Sequence, residues 1–337
     1  MSYHLVVPAE QAGMELDEFL CRSFPLYSKR FLRRLVRNGG VLVDGARVQP
    51  SQRLHRDDVV SVEIDEDQAE PAPPPAPAGE LTVLYEDADI LAVDKPADLA
   101  VEPDRWDATR PSLVGALHAL AGNVGEGDLS GRFRPRLVHR LDKDTSGAVL
   151  VAKTIEAERA LRCAFDEGQV RKVYLALVEG EHPLPDGAEE RLELPLASDR
   201  RRGGLVVVSE AGKPACTLVA VEQRFRGYTL LRCQPLTGRT HQLRVHLAAA
   251  GFPLVVDPLY GRRRSFSLSE FKLDYRPKPG RVETPLIERL TLHALRLEFP
   301  ALGNAGRPVV VEAPLPRDFQ RVIKQLSKLR VWRARRA

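Results

Sequence analysis

His139-Arg140-Leu141-Asp142-Lys143-Asp144-Thr145-Ser146-Gly147-Ala148-Val149-Leu150-Val151-Ala152 passes from the densest polar cluster in the chain straight into an apolar run. The run after Gly147 reads as a buried strand, so the polar residues before it stand in a loop at the rim of a sheet. Three chemistries compete for that loop. Asp142, Asp144, Ser146 and Gly147 match positions one, three, five and six of a calcium-binding EF loop, but position twelve is Lys153, which repels the ion. An aspartate pair for phosphoryl transfer needs an apolar strand before its first Asp, and Arg136 to Leu141 is too charged. The third reading makes one aspartate a nucleophile toward an electrophilic sugar carbon, as carboxylates act in glycosyl transfer. Such an aspartate needs a cationic neighbour, and Arg140 or Arg239 suits. A salt-bridged turn would account equally well for any one of these residues.

Outward from the loop, Thr154 can cap a helix running to about Asp166 and stopped by Gly168. Strands follow at Val170 to Glu179 and near 204–209, 215–223 and 228–234. Thr240 can cap a helix that Gly251 and Pro253 end. On the other side, Leu81 to Tyr85 and Ile90 to Asp94 flank an acidic turn as a hairpin, and Ser112 caps a short helix ending at Gly122. Strands follow one another without regular βα alternation. The expected class is therefore α+β: a mixed, largely antiparallel sheet flanked by helices.

Residues 67–80, DQAEPAPPPAPAGE, contain nine Pro or Ala in fourteen, and read as a semi-stiff linker. The linker separates a small unit, about 10–66, from a body of 81–320 and a basic C-terminal tail, 321–337. In the small unit, Met14, Leu16, Phe19 and Leu20 have helical spacing. A second helix from Ser28 to Arg37 carries Lys29, Arg30, Arg33, Arg34 and Arg37, four of them at i, i+3, i+4, i+7 on one face. Val41-Leu42-Val43 enters an Asp44-Gly45 turn, and Val59 to Ile64 is a closing strand. By itself, a basic helical face is ordinary solvation.

Composition narrows the class. The 337 residues are 43% hydrophobic and 28% charged, which excludes wholesale disorder. The longest apolar run, Leu247 to Val256, is ten residues with Pro253 inside it, against about 20 for a membrane span. No charged n-region and apolar h-region open the chain, and Cys21, Cys163, Cys216 and Cys233 lie too far apart for CxxC pairs. A cytoplasmic protein with reduced thiols is expected. His241 and His246 are five apart and lack the i,i+4 spacing and third partner of a zinc site.

Several segments, taken in order, carry a resemblance. His139-Arg-Leu-Asp142-Lys-Asp-Thr-Ser-Gly147 looks like the signature loop of the RluA-type pseudouridine synthases. Lys172-Val-Tyr174-Leu-Ala-Leu-Val is similar to that family's second motif. Thr237-Gly-Arg-Thr-His-Gln-Leu-Arg-Val-His246, with Gly251-Phe-Pro253 and Asp257-Pro-Leu-Tyr-Gly261, resembles the third. Lys95-Pro96, Gly212-Lys-Pro-Ala215 and Leu292-His-Ala294 agree. The order of parts in 10–66 resembles the S4-type RNA-binding module, a small α/β domain. Asp94, Ala97 and Val256 depart from the family pattern, and 262–288 reads as a charged insertion whose role the sequence does not give.

The resemblance implies an RNA uridine-to-pseudouridine isomerase with no metal or cofactor, expected as a monomer. Asp142 would attack the target uridine, Tyr174 would pack on the flipped uracil and help remove its C5 proton, and Arg239 would be the counter-ion of Asp142. Arg140 would enter the helix in place of the extruded base, with His139 also facing RNA. Lys29, Arg30, Arg33, Arg34 and Arg37 would meet phosphates. An S4-type companion tilts the expected substrate toward large-subunit ribosomal RNA over transfer RNA; the non-enzymatic alternative is a protein that only grips structured RNA. The net charge of +4 conceals the distribution behind this partner. Arg317 to Ala337 holds eight basic residues and one acidic, leaving 42 basic against 45 acidic elsewhere. Local basic patches are what phosphate binding requires.

Overall fold

A computed structural model describes residues 2–24, 27–65, 81–102, 110–122, 133, 135–199, 203, 205–277, 280, 282–302 and 307–333. The Pro/Ala stretch 67–80 lies outside the described residues. The chain divides into two units: Met1–Ala78 with Glu102–Arg136, and Gly79–Val101 with Leu137–Ala337.

In the first unit, β1 (Ser2–Val6), α1 (Leu16–Ser23), α2 (Lys29–Arg37), β2 (Val41–Val43), β3 (Ala46–Arg47) and β4 (Val59–Glu63) form a four-stranded sheet, order β1-β4-β2-β3, with two helices. Ser28 caps α2, its Oγ accepting the Phe31 N–H at 3.1 Å. Phe31, Leu32 and Val36 bury the apolar face of α2 and leave its basic face exposed. Asp44 and Gly45 both have positive φ, the requirement of the two-residue turn joining β2 to β3. The sequence reading began this unit too late, at residue 10. Strand β1 pairs antiparallel with β4 from Ser2 to Val6. Its exposure alternates along the strand, and only the closing partner reveals it as sheet.

The second unit is built on β5 (Thr82–Glu86), β6 (Ile90–Lys95), β7 (Arg136–Leu137), β8 (Ser146–Ala152), β9 (Arg171–Glu179), β10 (Glu189–Glu193), β13 (Cys216–Phe225), β14 (Tyr228–Pro235), β15 (Leu292–Phe299) and β16 (Val309–Glu312). The boundary between units falls within β7. The sheet order is β10-β13-β14-β9-β15-β8-β6-β5, with β7 on β8 and β16 on β15; β11 (Leu196–Asp199) and β12 (Leu205–Val208) form a separate hairpin. Along this order β8 and β15 pair parallel, and every other neighbouring pair is antiparallel. The expected mixed, largely antiparallel sheet is what the chain forms. In the first unit α3 (Leu113–Gly122) starts at Ser112, whose Oγ accepts the Gly115 N–H.

Helices α4 (Ile155–Asp166), α5 (Gln242–Ala249) and α6 (Arg317–Leu329) flank the sheet. Leu161 and Ala164 of α4 pack with Ile90, Leu150 and Phe299, and Leu243 and Leu247 of α5 with Val178 and Leu231. Phe319, Val322 and Leu326 of α6 are buried with Phe225, Phe266 and Phe271. At about 1.5–3 kcal/mol for each such side chain, α6 is part of the core, so the expected tail does not begin at 321. The charged stretch 262–288 likewise packs inward through Phe266, Phe271 and Ile287. Thr240 does not cap α5. The residue before the helix is His241, at φ 53°, and makes no side-chain cap. Gln242 ties the turn instead, its Oε1 accepting from Thr237 Oγ1 at 2.7 Å and the Arg239 N–H at 3.0 Å.

Candidate active site

The 139–147 loop is fixed from beneath. Lys95, fully buried at the end of β6, donates from Nζ to the carbonyls of Pro96, Leu99 and Lys143 at 2.8–2.9 Å. Burial draws its pKa down to about 7 against the attraction of Asp144, Asp142 and Asp98. At the far end, Gly147 has φ +120°, and a Cβ there would fall 2.2 Å from the Ala294 carbonyl oxygen. Only glycine lets β8 and β15 approach so closely. Ser146 Oγ meets His293 Nδ1 at 2.9 Å and accepts from Arg289 at 3.1 Å, and Arg289 in turn forks onto Asp318 of α6.

Between these anchors Asp142 faces a cleft of about 270 Å³. Its walls are Val138 to Asp142 and Thr145 on one side and Thr237 to Arg244 on the other, with Lys172, Tyr174 and Leu292 from the sheet. Arg140 reaches across the mouth, Nη2 donating to Thr240 Oγ1 at 3.3 Å. Tyr174 stands where the β9–β15 register shifts between Ala294 and Arg296, an irregularity that re-aims side chains next to a site. Burial, and then the negative charge of Asp142, push the Tyr174 phenol well above its ordinary pKa.

The cation beside Asp142 is Arg244, not Arg239. Arg244 of α5 is 2% exposed; its Nη1 lies 3.7 Å from Asp142 Oδ2, while Nε and Nη2 fork onto Asp257 at 2.8 and 2.7 Å. Asp257 is itself buried and accepts the N–H groups of Leu259 and Tyr260. The Arg244 guanidinium also lies 5.1 Å from the Tyr260 ring centroid. Three fixed contacts thus leave one edge of a planar cation aimed at Asp142. Arg239 lines the same cleft, but its Nε donates to the Pro214 carbonyl at 3.1 Å. A signal for Arg244 existed: an arginine inside Leu243-Arg-Val-His-Leu-Ala-Ala249 is too costly to bury without a carboxylate, and Asp257 follows.

His139 also lines the cleft. Its Nε2 accepts the Leu150 N–H at 2.8 Å, its ring packs on Phe165, and burial followed by the charge of Lys172 holds its pKa down at about 3. A neutral ring bonded to a strand N–H braces the loop. His241 and His246 are also occupied. His241 Nδ1 lies 2.9 Å from the Tyr260 hydroxyl, and His246 bonds Thr217 Oγ1 and the Leu194 carbonyl, both at 3.0 Å. No group of three His, Cys, Asp or Glu side chains among the described residues is placed to hold a metal ion.

In the first unit, the basic face of α2 is not uniform. Arg33 Nε bonds Asp17 Oδ2 at 2.7 Å and Lys29 Nζ lies 3.4 Å from the same atom, Asp17 being fully buried. The Arg34 guanidinium lies 5.7 Å from the Phe31 ring centroid. Arg30 and Arg37 are exposed.

A carboxylate beside a fixed arginine, in a cleft edged by further cations, is an arrangement suited to nucleophilic or electrostatic chemistry on an anionic substrate. Comparison with known proteins gives the particular class. Residues 89–249 match the RNA pseudouridylate synthase family and residues 14–60 the S4 domain. The chain is 37% identical over 329 residues to ribosomal large subunit pseudouridine synthase D of Xanthomonas campestris, covering 96% of this chain and 92% of that one. It is 34% identical over 334 residues to ribosomal large subunit pseudouridine synthase C of Escherichia coli, covering 97% of each. The solved structure of human RNA pseudouridylate synthase domain containing 1 superposes with a TM-score of 0.52 at 28% identity, covering 72% of this chain and 86% of that one. The chain belongs to the RNA pseudouridylate synthase family, and its activity is the isomerisation of uridine to pseudouridine in RNA.

Proposed function

We propose that this isomerase acts on large-subunit ribosomal RNA, as a cytoplasmic monomer needing neither metal nor cofactor, with Asp142 carrying the chemistry. The observation that carries the site assignment is the Asp142 carboxylate, 3.7 Å from the forked Arg244 guanidinium and facing the cleft that Tyr174 lines. The relatives' names support the substrate. For the compartment, among the described residues no helix is long and apolar enough to cross a membrane. The catalytic domain runs from 81 through α6 to about 329, and the S4-like domain, extended back to β1, brings α2 to RNA phosphates.

In the reaction the target base leaves its stack at a cost of a few kcal/mol, which Arg140 offsets by entering the gap. Its long bond to Thr240 holds the guanidinium at the cleft mouth until then. The Asp142 carboxylate attacks C1′ as the N1–C1′ bond breaks. Uracil turns, C5 bonds to C1′ as the carboxylate leaves, C5 loses its proton and N1 gains one, so atoms balance without added water. Tyr174 takes the packing role. A phenol is protonated at neutral pH, and burial with the charge of Asp142 makes its proton harder still to lose, which weighs against the expected base role in the resting site.

Tritium release from RNA labelled at uridine C5 tests the assignment. Wild type should release it, and Asp142→Asn should fall by about a thousandfold or more, since removing a nucleophile removes the covalent route. Equal release by the two proteins would sink Asp142. Mapping pseudouridine in total RNA with and without the gene tests the substrate; loss of a site in transfer RNA alone would replace ribosomal RNA.

A further inference from the structure

The cleft holds a cation that none of these contacts employs. Lys172 lies two residues before Tyr174 on β9, so the two side chains share a face about 7 Å apart along the strand. Further along that face Ala176 and Val178 are buried in the core, whereas Lys172 and Tyr174 are half-buried and line the cleft. The other cations there are engaged: Arg244 by Asp257 and Asp142, Arg239 by a carbonyl, Arg140 by Thr240. The Lys172 ammonium has only the Phe165 ring, 6.0 Å away, and no carboxylate within ion-pair distance among the described residues. Burial lowers its pKa with no acid to oppose the shift. A half-buried ammonium of this kind carries a desolvation cost that one distant ring offsets only in part. A substrate anion would meet the remainder.

We infer that Lys172 binds the phosphodiester adjoining the extruded uridine, a role that rests on the site assignment made above. With uracil on Tyr174 and C1′ at Asp142, Lys172 is the cation of the same cleft wall left to meet a phosphate flanking that nucleotide. Lys172 then fixes the register of the flipped nucleotide through charge, leaving the chemistry to Asp142.

A binding cycle tests this on a hairpin of large-subunit ribosomal RNA containing the uridine that mapping identifies. The hairpin is made with ordinary phosphates, or with one neutral methylphosphonate 5′ or 3′ of that uridine. Lys172→Met should weaken binding of ordinary RNA about ten- to a hundredfold, the range for a hydrogen bond to a charged group. One of the two methylphosphonates should weaken wild type similarly, and on that RNA Lys172→Met should cost nothing more. Lys172→Arg should recover most of the affinity, and the salt slope for Lys172→Met should be shallower by about 0.7–0.9. The Tm of Lys172→Met should stay level or rise, because methionine removes an unpaired charge from a half-buried wall. Losses that multiply on both modified RNAs, or a lowered Tm that accounts for the weaker binding, would overturn the role. Because the cycle is read on binding, an active wild type with multiplying losses removes Lys172 and leaves Asp142 in place.

Discussion

Two regions of the molecule use arginine in opposite ways. On α2 the cations form an exposed stripe, along which Arg33 and Lys29 are drawn to the buried Asp17. In the cleft Arg244 is 2% exposed and bound on three sides. An exposed stripe supplies potential, which needs charge near a polyanion but little geometry, and salt screens it. A buried fork supplies position, which needs every contact. Loss of one stripe arginine should be graded; loss of the fork should not.

The sharpest way to break that contrast is at the fork. Arg244→Lys keeps the charge but cannot bond Asp257 twice while facing Asp142. Its kcat should fall by about a hundredfold, the cost of a misplacement of roughly 1 Å. Asp257→Asn should also cost about 3 kcal/mol in urea unfolding, because it leaves a buried guanidinium underpaired. Arg239→Ala, made as the control, should raise KM and leave kcat unchanged. Should Arg239→Ala lower kcat as far as Arg244→Lys does, the contrast between bound and free arginine fails inside the cleft itself.

Lys95 gives the next largest effect and extends the comparison to pH. Unfolded, Lys95 holds its proton to about 10.4; buried, it releases it near about 7. Between those values the unfolded chain binds more protons, so unfolding free energy rises with pH. The cost of burying the ammonium is fully present below the folded value and relieved as pH climbs. Relative to Lys95→Met, wild type should therefore gain about 1–2 kcal/mol between pH 7 and 9. A flat difference would mean that three carbonyls and the nearby carboxylates keep the ammonium charged throughout.

The same contrast explains what the sequence disclosed. The α2 stripe is a spacing, legible within about two turns of helix. The loop entering β8 is legible because a polar cluster abuts an apolar run. The partners of Arg244 are separated in sequence, Asp142 lying 102 residues before it and Asp257 thirteen after. Arg239 and Arg244 share one motif and differ only in which way the chain points them, a fact settled by the αL turn at His241. The bond of His139 to the Leu150 N–H and its contact with the Phe165 ring join residues 11 and 26 apart, so the sequence does not show them. Strand β1 escaped notice because its pairing partner, β4, lies more than fifty residues away.

The smallest expected effect lies within the stripe itself, where one residue type occurs in both conditions on a single helix. Arg33 is tied to Asp17, whereas Arg37, one turn on, has no side-chain partner among the described residues. If stripe arginines act through free charge, Arg37→Ala should weaken RNA binding a few-fold and lower the salt slope by about 0.7–0.9. Its unfolding free energy should be unchanged. Arg33→Ala should do the reverse: little loss of RNA affinity, and about 1 kcal/mol of stability, because the buried Asp17 then has only the more distant Lys29. Filter binding across a salt series, with urea unfolding of the same two proteins, reads both axes. Equal slopes for the two variants would show that RNA pulls Arg33 away from Asp17. The stripe would then act as a unit, and the distinction between bound and free arginine would hold only in the cleft.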